Sequence, residues 1–220
     1  MKKFFKSMQL LALMLVAGGS FCLTSCSDDD DVNIPAEVTT ATMFGSYEGK
    51  VTAFNIAPVD GEDNEDTTAP GADISAVVNN DTIKLVEFPV KDIVLAIVKD
   101  ETLADKIMEE IGDVTYSIGY DPTLTADKDS IMVKLDPKPL KLTVNIPAAK
   151  DGEEAAATVV EVQVAAGENA GYAVADGNLK FHIAATKVML GEGEQQQELP
   201  NFVPTTFHFD MNQNRISHLF

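Results

Sequence analysis

Apolar and polar residues alternate with period two in segment after segment of this chain, and no other feature limits its fold so tightly. Leu140, Leu142, Val144 and Ile146 alternate with Lys141, Thr143 and Asn145. Val160, Val162 and Val164 alternate with Glu161 and Gln163. Leu179, Phe181, Ile183 and Ala185 alternate with Lys180, His182 and Ala184, and Phe207, Phe209 and Met211 with His208, Asp210 and Asn212. Successive side chains of a strand point to opposite faces, so this pattern specifies sheets with one buried and one wet face. Such sheets are usually antiparallel, because parallel sheets are covered on both sides. Turn signals separate the segments at Asn79-Asn80-Asp81, Asp121-Pro122, Asp151-Gly152 and Asp176-Gly177-Asn178. The expected fold is mainly β, α+β at the margin: an antiparallel β-barrel or a β-sandwich, between which the alternation does not choose.

One region departs from period two. Pro89 to Val98 suits either a strand or a short helix opened by proline. Asp100 to Ile111 reads as a helix. Asp100 is a capping residue, Leu103, Ala104, Ile107, Met108 and Ile111 form one apolar stripe, and Gly112 ends it. One or two helices are therefore expected near residues 89–111, between about the third and fourth strands. Asp60 to Asp66 and Gly191 to Glu198 lack apolar anchors and read as mobile loops.

The first 25 residues have a different character. Lys2, Lys3 and Lys6 precede an apolar run from Leu10 to Ala17, and small residues follow up to Cys26. That is the layout of a secretory signal peptide, and its apolar core is about half the ~20 residues that span a bilayer. Leu23-Thr24-Ser25-Cys26 resembles the lipobox of bacterial lipoproteins. The resemblance implies cleavage before Cys26 and its conversion to a lipid anchor carrying diacylglycerol and palmitate. The acidic run Ser27-Asp28-Asp29-Asp30-Asp31 resembles the surface-export signal of bacteroidete-type lipoproteins. It implies an outer-membrane location facing the cell exterior. The expected organisation is a signal peptide over 1–25, an acidic disordered tether over 26–41, and one β-rich domain over 42–220. About 195 residues after Cys26 suffice for one domain with a real core.

Composition narrows what that domain does. Losing three of the 16 basic residues leaves 13 against 35 acidic ones, a net charge near −22. A field of that sign repels nucleic-acid backbones and anionic head groups, so the lipid on Cys26 is the expected membrane contact and nucleic acid is not an expected partner. Arg215 is the only arginine. Cys26 is the only cysteine after the signal peptide, which removes disulfides, thiolate nucleophiles and cysteine-based metal sites from the domain. Tryptophan is absent and there are four tyrosines, few from which to build sugar-stacking platforms.

Phe44-Gly45-Ser46-Tyr47-Glu48-Gly49 resembles the opening strand of small calycin-like barrels in bacteroidete surface lipoproteins. Ile83-Lys84-Leu85-Val86-Glu87-Phe88-Pro89 is similar to segments of uncharacterised lipoprotein families of that group. The resemblance implies a barrel, in which a central helical insert is a departure. Gly-x-Tyr-x-Gly is also a common packing and bulge device in strands.

Candidate sites are few. Asp60, Glu62, Asn64 and Asp66 alternate like the first ligands of a calcium loop. The sixth position is Glu65 where glycine is needed, and the twelfth is Gly71 where a bidentate glutamate is needed, so a solvated loop is the better reading. His182 and His208 lie on wet faces of different strands, with Asp210 on the face of His208. If those strands pair, the two imidazoles become neighbours able to meet a transition metal; otherwise they are two exposed histidines. His218 reads as ordinary surface, and Asp127 and Asp129 as a soluble turn around Lys128. Tyr47, Tyr116, Tyr120 and Tyr172 suit either the lining of a ligand cavity or a core with hydroxyls reaching polar partners. No Gly-x-Ser-x-Gly, His-Glu-x-x-His or phosphate-binding glycine loop occurs, and carboxylates are too plentiful for spacing to nominate a pair. No catalytic residue, metal ligand or cofactor is assigned. The expectation is a non-enzymatic binding or surface-assembly module, with a calycin-like carrier of a small apolar ligand and a carboxylate hydrolase as alternatives.

Overall fold

The computed structural model describes residues 37–55, 71–146 and 156–215, all within the unit Glu37–Phe220. Its strands are β1 (Gly45–Asn55), β2 (Ala72–Val78), β3 (Thr82–Val86), β4 (Tyr116–Leu124), β5 (Ser130–Pro137), β6 (Leu140–Ile146), β7 (Ala156–Ala166), β8 (Gly171–Ala173), β9 (Asn178–Leu190), β10 (Gln197–Glu198) and β11 (Thr205–Gln213). Helices α1 (Lys91–Val98) and α2 (Glu101–Ile111) lie between β3 and β4, and a 3-10 turn, Thr40–Met43, precedes β1. Every pairing is antiparallel.

The choice between barrel and sandwich is made by β11, which pairs with β9 on one side and with β1 on the other. The result is a closed eight-stranded antiparallel barrel. β5 and β6 follow one another as one side of a long hairpin, and β7 and β8 as the other.

Alternation becomes packing as expected. Thr205, Phe207, Phe209 and Met211 of β11 are buried, while His208, Asp210 and Asn212 are exposed. In β9 the phase slips once: Gln163 faces Lys187 and Val164 faces Ala185, leaving Thr186 as the extra residue of a bulge. The bulge resets the inward positions from Ala185 to Val188, so both halves of a long strand keep an apolar face inward.

The closing seam runs from Tyr47 opposite Gln213 to Asn55 opposite Thr205 without interruption. Gly49, opposite Met211, makes it possible. A Cβ there would fall 2.1 Å from the Asp210 carbonyl oxygen and 2.6 Å from the Met211 Cα. The Gly-x-Tyr-x-Gly segment is thus a packing device in β1.

The opposite wall is split. β5 pairs with β8 from Ser130↔Ala173 to Met132↔Gly171, and the Val133 N–H donates to the Ala170 carbonyl at 2.9 Å. Pairing resumes only at Leu140↔Val162. From Met132↔Gly171 to Leu140↔Val162 one strand advances eight residues and the other nine, so the walls part and rejoin with one residue of mismatch.

The barrel axis is filled with side chains. Tyr47, Tyr172, Phe207, Met43, Ile83, Leu85, Ile118, Ile131, Leu179, Ile183 and Met211 are all below 2 % exposed. At one end Phe88 packs against Phe207 and Tyr116, with ring centroids 5.1 and 5.3 Å away, and Phe181 stacks on Phe209 at 4.5 Å. At the other end the 3-10 turn brings in Met43, which is fully buried.

Both helices form inside the expected insert. The Asp100 carboxylate accepts the Leu103 N–H at 2.8 Å, and Gly112 ends α2 with φ 67°. Ala104 and Ile107 face the core, and Asn145 of β6 hydrogen-bonds Glu110. In the ambiguous stretch α1 begins at Lys91; Pro89 belongs to the lead-in and is not the first helical residue. Lys99 closes α1 in the left-handed region with φ 56°.

Two local expectations need correction. Asp121-Pro122 is no turn but part of β4, with Pro122 opposite Val133. The β3 partner of β4 ends at Gly119, so the proline lies where that side of the strand has no ladder to lose. Gly191 to Glu198 is not a featureless loop: a 3-10 turn at Gly193–Gln195 leads into β10, which pairs with the end of β9. The 3-10 turn Thr40–Met43 spans the expected start of the domain at residue 42. Among the described residues no helix is long and apolar enough to cross a membrane.

Candidate functional site

Cys26, the acidic loop Asp60 to Asp66 and His218 lie outside the described residues. The remaining candidates divide between the barrel axis and its outer wall.

The tyrosines belong to the axis. All four are buried and their hydroxyls bond protein acceptors. Tyr47 donates to the Met43 carbonyl at 2.5 Å, Tyr116 to the Lys138 carbonyl at 2.6 Å, and Tyr120 to the Asn79 carbonyl. Tyr172 donates to Gln213 Oε1 at 2.8 Å and receives the Arg215 guanidinium at 3.1 Å. Arg215 also reaches the Val174 carbonyl at 2.6 Å, and Gln213 donates to the Phe44 carbonyl at 2.8 Å. The single arginine and three chain segments thus knit one barrel end around the 3-10 turn. Burial raises the Tyr47 and Tyr116 hydroxyls well above the ordinary value near 10, Tyr47 being pushed further by Tyr172 and Tyr120. Burial, with Asp81 nearby, lifts Tyr120 to about 12. These are core residues with satisfied hydroxyls, the second of the two readings left open by the sequence.

The histidines do become neighbours. His208 faces His182 directly in the β11–β9 register. Their rings stack nearly parallel, with centroids 5.1 Å apart and planes 10° apart. Phe54 meets His208 in a T-shaped contact with ring centroids 5.0 Å apart. On the far side His182 lies against the bare backbone of Gly167, where a Cβ would overlap its ring at 2.1 Å. Burial and the neighbouring His182 hold His208 below its usual pKa. The next row across the wall is charged: Asp73, Lys50, Asp210 and Lys180 follow in register, with Lys50–Asp73 at 2.6 Å and Lys180–Asp210 at 2.8 Å. Asp210 shares the histidine face but is already engaged by Lys180 and Asn178, which hold its carboxyl below the usual range. An open cleft of about 320 Å³ joins these residues to Glu168 and Asn169. Among the described residues no group of three or more His, Cys, Asp or Glu is arranged to hold a metal.

Asp129 proves structural. Its carboxylate accepts the Ser130 hydroxyl at 2.6 Å and the Thr125 hydroxyl at 2.8 Å, and these bonds hold its pKa low.

A second region of the wall has no counterpart among the sequence candidates. Where β5 parts from the 166–170 segment there is an open groove of about 500 Å³. Val133, Leu135, Ala166 and Ala170 give it an apolar character, and Asp121, Lys134, Glu168 and Asn169 surround them. Met132 lines it while 62 % exposed. The sequence did carry one signal for this place: Ile131, Met132 and Val133 are consecutive apolar residues in a strand whose middle position faces out.

Together these features define a class: a small closed antiparallel barrel with a filled axis, a helical insert and its accessible chemistry on the outer wall. The chain belongs to the family described as a domain of unknown function, DUF4840, whose model matches residues 42–190. The match ends with the last residue of β9, so the closing strand β11, with His208 and Arg215 at and beyond it, lies outside the matched range. Neither a curated protein nor a solved structure matches the chain.

Proposed function

We propose that this protein is a non-enzymatic binding module of the bacterial cell envelope, anchored through a lipid on Cys26, facing outward, and making its contacts with the outer wall of the barrel. The observation that carries the binding-surface part is the filled axis. Where a carrier of this architecture needs a lumen for its ligand, Tyr47, Tyr172, Phe207 and Met211 occupy that space. The apolar groove at the split wall offers the alternative place for contact. The anchor and the address rest on the lipobox and acidic run of the sequence alone.

The carrier remains the second reading, supported by the eight-stranded closed barrel itself. Native mass spectrometry of the gently purified lipoprotein separates the two. The outer-wall reading expects the mass of the acylated chain without an enclosed small molecule. A stoichiometric apolar ligand released only on unfolding would establish the carrier instead. Replacing Cys26 with Ala in the same preparation should remove the acyl mass; its persistence would overturn the anchor. A hydrolase has weaker support, since Glu161, Asp210 and Asp73 are each paired with a lysine.

A further inference from the structure

We propose that His182 and His208 form a two-histidine site on the outer barrel wall for a borderline divalent transition metal, with Cu(II) preferred over Ni(II) and Zn(II). The inference rests on fold geometry and not on the binding role proposed above.

Three features favour it. First, the pair is placed by the ladder. The two residues face each other in a register that extends from Thr205↔Ala185 to Asn212↔Asn178, so no backbone movement is needed to bring the imidazoles together. Metal–imidazole bonds of about 2.0–2.1 Å require ligand nitrogens roughly 3–4 Å apart. Rings stacked at 5.1 Å reach that separation by leaning toward one another about their side-chain torsions.

Second, the row is supported from both ends and open above. Phe54 braces His208, and the bare backbone at Gly167 gives His182 a seat that any side chain would fill. The cleft of about 320 Å³ leaves room for water in the remaining coordination positions, and Glu168 and Asn169 are among its lining residues.

Third, the surroundings select the metal class. Imidazole is the ligand of Cu, Ni and Zn, and affinity for a nitrogen site rises to Cu(II) in the divalent series. Ca(II) and Mg(II) need several oxygens, whereas Asp210 and Asp73 are committed to Lys180 and Lys50. Those pairings also balance the two lysines beside the site.

The test is a Cu(II) titration of the full chain at neutral pH, with electron paramagnetic resonance and a competing weak chelator. The expected result is one Cu(II) per chain with hyperfine coupling to two nitrogens. His182→Gln and His208→Gln each lower the affinity at least about tenfold, and the double variant loses the site. His218→Gln, which changes the remaining histidine, leaves it intact. Circular dichroism of each variant checks that the barrel is folded. Absence of Cu(II) binding, or an unchanged spectrum and affinity in the folded double variant, would overturn the proposal.

Discussion

The barrel has two seams, and they are built in opposite ways. Between β1 and β11 the ladder is continuous, and Gly49 lets the two backbones approach until no side chain fits. Between β5 and the β7–β8 side the ladder opens for several residues and recovers with one residue of mismatch. The tight seam continues through β9 into a wall that presents ordered rows of polar side chains, the charged row of Lys50 and Asp210 and the stacked histidines. Beside the open seam Met132 stands exposed on the outer wall, while Val133 and Leu135 line the groove from buried positions. Regular pairing fixes side chains in register, whereas interrupted pairing exposes surface. A small barrel whose described axis is filled by side chains obtains two kinds of outer surface from this contrast.

The sharpest way to break the contrast is to add a side chain at each seam. Gly49→Val should destabilise the protein by about 3 kcal/mol in urea unfolding, because the clash is with backbone atoms that cannot move without opening the closure. Gly171→Ala at the open seam should change stability by less than about 1 kcal/mol, since its Cβ would meet only the Ile131 carbonyl oxygen at an ordinary 3.4 Å. Equal losses at the two positions would mean that the seams do not differ.

The buried tyrosines should respond to alkali and to loss of a hydroxyl. Tyr172→Phe removes the hydroxyl that bonds Gln213 and Arg215 and should cost about 1–2 kcal/mol. For Tyr47, Tyr116 and Tyr120 the folded pKa lies above the unfolded value near 10. Above that pH the unfolded chain releases protons that the folded chain keeps, so stability should be intact below about pH 10 and fall as pH rises further. A flat stability profile from pH 9 to 11 would contradict the burial of these hydroxyls.

Hydrogen exchange compares the seams without mutation. The amide of Leu135, beyond the last pair of β5 with β8 although the residue still faces Tyr120 of β4, should exchange faster than those of Val51 and Phe209 in the closing ladder. Equal protection would show that the split is closed in solution.

The smallest expected effect is on one imidazole. In His182→Gln, nuclear magnetic resonance titration should show the His208 pKa moving upward, part of the way to its ordinary value, because one of its two causes is removed. The linkage sign is fixed by the same shift. The folded state binds this proton less readily than the unfolded chain, so lowering the pH through the imidazole range disfavours folding, and raising it restores stability.

Much of the architecture was legible in the sequence because it depends on local periodicity. The burial of Phe207, Phe209 and Met211 follows from alternation alone. The α2 cap at Asp100 and its end at Gly112 follow from which backbone groups a helix leaves unsatisfied. Pro122 misled as a turn signal because its position was decided by a missing neighbour strand, which no local pattern records. The site was half legible. His182 and His208 were visible as wet-face residues, but whether they met depended on which strands pair.

The sequence by itself therefore determined helix α2, the buried faces of the strands with clear alternation, and the tyrosine, histidine and charged side chains available for chemistry. It also carries the lipobox and acidic run on which the proposed envelope address rests. Only the tertiary structure decided that the sheet closes into a barrel, that Tyr47, Tyr116, Tyr120 and Tyr172 fill its axis, and that His182 and His208 stack. It also decided that the β5 wall splits. The physical reason is one of range. Side-chain direction is set by neighbours two or four residues away, whereas closure, register and a one-residue mismatch are set between strands distant in the chain.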